Sequence, residues 1–252
     1  MKRKTTLLLL LFSWCPFLLF GKEIKKITRE SNIPGFVETY YILKSDTSIR
    51  QGPYKLELLG KLVVEGTYKA GKRDSTWIQY NLDGIVRTKG SFKMGKRADL
   101  WEFFNDKGQL EQKIDFSTGE VLYYQTIFSK HPFRVIAGKD TLLTVLDRPP
   151  LYLGGTSRLN DDISSEIILP LHKAGEKITG TVFLRFTIDS MGKPYDHHLL
   201  RGIGNACNEE AMRVIKIIPG EWLPGILEGK PVNVEYILPI IFDKNTKSPE
   251  LF

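Results

Sequence analysis

The chain is poor in the residues that most often carry redox, metal or nucleophilic chemistry. It has two cysteines in 252 residues, Cys15 and Cys207. Cys15 falls inside an apolar leader, so the exported part would keep Cys207 alone and form no internal disulfide. Cys207 stands just before an amphipathic stretch that starts at Asn208, and it is expected to be packed rather than reactive, since free cysteine is among the most buried residue types. The four histidines are His131, His172, His197 and His198. None has a partner at metal-ligand spacing, and adjacent His197 and His198 would point to opposite faces of a strand, as exposed polar residues. There is no Gly-x-Ser-x-Gly elbow and no His-Glu-x-x-His helix. Neither catalysis, nor a cofactor, nor a metal is therefore expected, and Asp161 and Asp162 on a predicted helix read as surface charge.

Long hydrophobic runs are scarce as well. The one candidate, Leu7–Phe20, is broken by Ser13 and Pro16 and is shorter than the roughly 20 apolar residues a spanning helix needs. It follows Lys2, Arg3 and Lys4 and ends at Gly21, so residues 1–21 read as a secretory signal peptide. Lipid attachment at Cys15 would need small residues before it, and Ser13 and Trp14 stand there. Cleavage would remove three positive charges and no negative ones, lowering the formal net charge from +7 to +4. That balance is too mild to argue for nucleic acid.

An internal repeat fills the next part. The stretch GTYKAGKRDSTWIQYNLDG from Gly66 to Gly84 overlays GSFKMGKRADLWEFFNDKG from Gly90 to Gly108 at an offset of 24 residues. The overlay pairs Tyr68 with Phe92, Lys72 and Arg73 with Lys96 and Arg97, Trp77 with Trp101, and Tyr80 with Phe104. An earlier copy at Arg50 to Gly60 puts Tyr54 in the tryptophan position, and a partial copy lies at Asp115 to Glu120. Aromatic and polar residues alternate around glycine, which predicts β-hairpins that stack into an elongated sheet. Both copies satisfy half of a phosphate-binding loop, but Arg73 and Arg97 replace its Ser or Thr and no helix follows, which argues against nucleotide binding. The row of Lys72, Arg73, Lys96 and Arg97 reads as solubilising charge; contact with anionic lipid or a cell-wall polymer is the other reading.

The segment 123–149 shows two strand-like runs around Gly138 and ends at Pro149 and Pro150, which places a domain boundary there. Beyond it, Val182, Leu184, Phe186 and Ile188 alternate with polar residues, a half-buried strand. Gly192 supplies a turn. Ala211, Val214, Ile215 and Ile218 follow at helical spacing after Asn208, with Glu209 and Glu210 in the first turn and Lys216 in the last. A second alternating run, Val232, Val234, Tyr236 and Leu238, is closed by Pro239. One helix on a sheet is the expected unit.

Two resemblances follow from these residues. The repeats over about 37–122 resemble MORN-type repeats in their bacterial variant, with Ser75 and Asp99 standing where many such repeats carry glycine. From Pro150 to Asp243 the chain resembles the TonB C-terminal domain. That resemblance rests on Gly154 and Gly155, a helix bearing Leu159, Ile163 and Ile167, Leu169 and Pro170, Gly180, Gly192 and Lys193, Trp222, Pro224 and Gly225, and Gly229 to Val232. The fold class implied is α+β: a TonB-like sheet-plus-helix domain, 150–252, behind an all-β MORN-type repeat region, 22–122, and a connector, 123–149.

The TonB resemblance implies a sheet edge that accepts an extended peptide from an outer-membrane TonB-dependent transporter, with a proton-driven inner-membrane motor as a further partner. Unpaired edge N–H and C=O groups would supply affinity and alternate side chains selectivity. The expected edge is Val232, Asn233, Val234, Glu235, Tyr236, Ile237 and Leu238, with Asn233, Glu235 and Ile237 facing outward; the other reading of this run is a core strand, since alternation does not mark an edge. The chain departs from energy-transducing members in two ways: its leader holds no histidine, and its thirteen prolines do not cluster into a spacer. The expected location is the periplasm or cell envelope after cleavage, or the inner membrane if the leader is kept. A scaffold that binds through the repeats, without energy transduction, is the alternative.

Overall fold

The computed structural model of the chain describes residues 23–125, 131–138, 140–170, 179–218 and 220–243. The leader and His172 lie outside them. Among the described residues no helix is long and apolar enough to cross a membrane.

Nine strands in chain order form one antiparallel meander: β1 (Ile24–Glu30), β2 (Phe36–Leu43), β3 (Arg50–Leu58), β4 (Lys61–Lys69), β5 (Lys72–Tyr80), β6 (Val86–Lys93), β7 (Lys96–Phe104), β8 (Leu110–Asp115) and β9 (Glu120–Tyr124). The repeat therefore makes consecutive hairpins of a single sheet. Three of its turns have two residues, both at positive φ: Leu59 and Gly60 (51° and 76°), Ala70 and Gly71 (50° and 77°), Met94 and Gly95 (53° and 85°). Such turns match the right-handed twist of paired strands. Ser75 (φ 59°) and Asp99 (φ 54°) adopt the left-handed conformation without being glycine. Each sits where the register with the preceding strand shifts, so the bulge of the repeat is kept.

The sheet is held by a ladder of rings along one face. Tyr54, Tyr68, Trp77, Phe92, Trp101 and Phe116 follow one another with centroids 5.0–6.0 Å apart, contacts of about 0.5–1.5 kcal/mol each beyond burial. Gly66 and Gly90 make the ladder possible, because a Cβ on either would overlap the ring of Trp77 or Trp101. Each indole N–H donates to the carbonyl next to that glycine, Thr67 (3.1 Å) and Ser91 (3.0 Å). Arginine closes the ladder from outside. Arg50 lies over Tyr40 (4.3 Å), Arg73 over Trp77 (4.8 Å) and Arg97 over Trp101 (5.4 Å). Arg73 and Arg97 are thus cation–π lids rather than free solubilising charge.

The segment expected to be a connector is built into the second sheet. It supplies the hairpin β10 (Phe133–Ala137) and β11 (Asp140–Thr144). There follow β12 (Leu151–Tyr152), α1 (Gly155–Glu166), β13 (Gly180–Ile188), β14 (Pro194–Arg201), α2 (Asn205–Ile217), β15 (Trp222–Leu223), β16 (Gly225–Leu227) and β17 (Lys230–Phe242). The order across the second sheet is β11-β10-β17-β13-β14, and β16 pairs with the start of β17. Both helices cover one face, where Val182, Leu184, Phe186, Ile188, Ala211, Val214 and Ile167 are fully buried.

Three local expectations are corrected. The helix α2 starts at Asn205 rather than after Asn208, whose side chain accepts from Ile203 N–H (3.0 Å) instead. Glu210 is then past the first turn and joins the helices: it accepts from Ile168 N–H and pairs with Arg213, whose guanidinium also donates to Glu166 C=O. The strand β17 continues through Pro239 to Phe242, which a sheet tolerates where proline's missing donor can face an unpaired side.

The two regions share a core. Trp101, Phe103 and Ile114 of the meander pack with Leu153 and Leu223. Buried Gln112 donates to Tyr152 C=O (3.2 Å) and accepts from Gly154 N–H (2.9 Å), while Glu111 accepts from Ser157 N–H and Oγ at the start of α1. Asp161 pairs with Arg87 of β6, and Asp162 accepts from Tyr152 Oη (2.6 Å) and pairs with Arg158. Asp161 ties α1 to the meander and Asp162 ties α1 to β12, so neither is free surface charge.

Candidate functional site

The expected docking stretch lies in β17, and it is not an edge. On one side β13 pairs with it from Val234 to Phe242. Val232 pairs with Gly225 of β16, and Asn233, Val234 and Glu235 pair with Ile136, Val135 and Arg134 of β10. Among the described residues Tyr236–Phe242 has no strand on the β10 side. Alternation reports which face a residue takes, whereas edge status depends on what pairs beside it, and here that is a hairpin about a hundred residues upstream.

Each residue of the stretch has a structural task in this arrangement. Asn233 Oδ1 accepts from Ser190 N–H (2.8 Å) and steadies the β13–β14 turn. Val234 is fully buried in a small core with Val135 and Leu146. Glu235 lies 3.6 Å from both Arg134 and Arg185, linking β10 and β13 across β17. Tyr236 packs on Phe186 and Trp222, and burial raises its phenol pKa. Leu238 is in the main core, and Ile237 alone stands half exposed on the open face of the sheet.

The other marked residues also pack. Leu169 and Trp222 are in the main core. Trp222 pairs with Tyr152 in the two-stranded β12–β15 ladder, and its carbonyl leaves no room for a Cβ on Gly192, which has φ 83°. Pro224 C=O accepts from Arg148 (2.8 Å), and Gly225 lies against Val234. Pro170 is half-buried.

Among the described residues the edges of this sheet are β11 and β14. The edge β14 is irregular: its register with β13 shifts twice and Asp196 has φ 56°. His197 and His198 do take opposite sides. His198 bonds Asp196 (2.7 Å), but His197 is half-buried, its ring stacked on Phe186 with Nε2 unpartnered. Burial, with Lys216 nearby, holds its pKa below the usual value. Cys207 is fully buried, and burial pushes its thiol pKa up.

Comparison with known proteins bears on the segment that holds these strands. Residues 169–243 match the family described as Gram-negative bacterial TonB protein C-terminal. The match covers β13 to β17 and the helix α2, and leaves α1 and the β10–β11 hairpin outside it. A comparison with curated proteins finds no match. Among solved structures, the crystal structure of TarM is 14% identical over 39% of this chain and 21% of its own, with a TM-score of 0.24. A point mutant of S. aureus TarM in complex with Fondaparinux, alpha-GlcNAc-glycerol and UDP gives a TM-score of 0.25 at the same identity and coverage. Scores that low carry no argument about fold or function.

Two features of the site were beyond the sequence reading. One is the addition of β10 and β11 to the TonB C-terminal sheet; the two runs around Gly138 were its only signal. The other is a cleft of about 610 Å³ between the ring ladder and the domain, bordered by Arg73, Gln79, Arg87, Arg158 and Glu221. Among the described residues no group of three or more side chains could hold a metal ion.

Proposed function

We propose that the chain is a cell-envelope protein of the TonB family that docks on outer-membrane TonB-dependent transporters by β-strand addition and contributes to energy-coupled transport. The observation that carries this reading is the family match over 169–243, on a sheet that keeps free edges. Strand addition needs an unpaired row of backbone groups and little else. The role is binding rather than catalysis, and the site is periplasmic once the leader is cleaved. The meander, as a MORN-type stack, would present the docking sheet in place of a flexible spacer.

One observation favours a second reading, a periplasmic scaffold that engages lipid or cell wall through the repeats and transmits no force from an inner-membrane motor. Gln112, Glu111, Arg87 and the Trp101–Leu153 core bond the meander directly to the domain, where an energy-transducing relative would have an extensible spacer. Affinity capture from envelope extract with the full chain tests both. Recovery of outer-membrane transporters supports docking, and recovery only of wall or lipid components refutes it in favour of the scaffold.

A further inference from the structure

We propose that β11 is the strand that accepts the partner's extended segment, the docking edge having moved outward from β17 by two strands. The inference rests on the docking reading above and names where on the sheet docking takes place. Among the described residues three rows of backbone groups in this sheet have no neighbouring strand: β14, the Tyr236–Phe242 half of β17, and β11.

The first two are unsuited. The edge β14 carries Asp196, His197, His198 and Arg201, two register shifts and a residue at positive φ, and charges and bulges are how sheets block edge pairing. The open half of β17 contains Pro239, which removes a donor.

The edge β11 has none of these protections. Its sequence is Asp-Thr-Leu-Leu-Thr, with one charge at the first position, and it pairs in unbroken register with β10 over all five residues. Large apolar side chains stand exposed on both of its faces, Leu142 at 54% and Leu143 at 65%, with Val145 just beyond at 51%. Leu142 ends the helix-side row Ile188–Val234–Val135–Leu142, and Leu143 ends the opposite row Thr187–Glu235–Arg134–Leu143. Both rows stop at a strand with one side unpaired, so the chemistry that completes them is another strand. Its backbone would pair with Asp140–Thr144, and apolar side chains at adjacent positions would cover Leu142 on one face and Leu143 on the other. The occupant is thus an extended, uncharged, apolar segment of about five residues, such as the periplasmic N-terminal segment of a transporter.

The test uses the full chain and synthetic peptides matching the N-terminal segments of the outer-membrane transporters of the same cell, with affinity read by titration calorimetry. Lysine substitutions at exposed positions compare the three edges: Leu143→Lys on β11, Ile237→Lys on β17 and Leu200→Lys on β14, each checked for an unchanged circular dichroism melt. Leu143→Lys is expected to weaken binding by about tenfold, as a charge set into an apolar strand pair does, and the other two to leave it within about twofold. Equal affinity for Leu143→Lys and wild type, or a larger loss at Ile237 or Leu200, overturns the assignment to β11 while leaving docking in place. No binding of any such peptide to the wild type overturns the docking reading and this inference together.

Discussion

The meander and the C-terminal sheet solve the same problem, keeping an antiparallel sheet in one register, by opposite means. In the C-terminal sheet one face is closed by two helices, and nine core residues, among them Phe186, Val214 and Val234, have no exposed surface at all. In the meander no helix covers the strands away from the junction. Its rings reach burial by lying on a glycine of the preceding strand and under an arginine of their own, and Trp77 still shows 4%. A closed core tolerates repacking, since many neighbours can shift. A ladder depends on single close approaches that cannot shift.

The largest effect expected from this difference is in the closed core. Phe186→Ala should destabilise the C-terminal domain by about 3–5 kcal/mol, the cost of an aromatic-sized cavity. Whether the meander melts with it is the sharper question, because the two share the Trp101–Leu153 core and the Gln112 bonds. One coincident transition in far-ultraviolet circular dichroism and tryptophan fluorescence is expected. Two separated transitions would show that the junction does not couple the regions.

The next prediction concerns the ladder. Gly90→Ala adds one methyl group, yet it should destabilise by about 1–3 kcal/mol, because the Trp101 ring occupies that space and is held by its bond to Ser91 C=O. Glycine to alanine at Gly71, where no atom lies within 4 Å, removes no such contact and costs only the strain of a residue at φ 77°. If the unfolding midpoints of the two variants agree, the ring-on-glycine account of the meander is wrong.

Much of this contrast was legible in the sequence, and the part that was not has a common cause. The overlay of Gly66–Gly84 on Gly90–Gly108 exposed the hairpins and paired Trp77 with Trp101. It could not show that each tryptophan packs on a glycine eleven residues before it, since overlaying copies compares equivalent positions and not contacts across strands. The strand at Val182–Ile188 followed from alternation, and the resemblance marked Leu169 and Trp222 without showing that both are buried. The burial of β17 between β13 and β10 did not, because the pairing of Arg134 with Glu235 spans most of the C-terminal half and leaves no periodic trace. For the same reason Asp161 and Asp162 read as surface charge: their partners, Arg87 and Tyr152, belong to other elements.

Acid acts on the two regions unequally. His197 in the C-terminal sheet has its pKa held below the ordinary 6.5, chiefly by burial. A group depressed in the folded state contributes stability that is complete above its unfolded pKa and is lost as pH falls below it. Glu38 of the meander and Glu210 of the C-terminal domain are also held low: burial opposes their ionisation, but Tyr54 and Arg50 outweigh it for Glu38, and Arg213 with Ile168 N–H for Glu210. Their contributions hold down to about the ordinary value of 4.5. Between 6.5 and 4.5 the loss therefore falls on His197 and its sheet. Lowering pH from about 7 to about 5 should reduce the midpoint of the shared transition, and His197→Phe, which keeps the stack on Phe186, should flatten that slope. An unchanged slope in the variant would place the acid sensitivity elsewhere.

The smallest effect should come from the turns, and it runs the other way. Met94 holds φ 53° at the first position of a two-residue turn and is 55% exposed, so its side chain contributes little packing to offset a conformation that costs most residues about 1–2 kcal/mol. Asparagine adopts that conformation more readily and is favoured before glycine in such turns. Met94→Asn should stabilise the meander by about 0.5–1 kcal/mol, read from the denaturant midpoint at constant slope. The same change at Asp99, which also has positive φ, should gain less, because its backbone N–H donates to Ser117 Oγ and its carboxylate accepts from the same hydroxyl. A gain at Asp99 equal to that at Met94 would mean that those bonds contribute nothing, and that strain at the meander's turns is relieved independently of what surrounds each one.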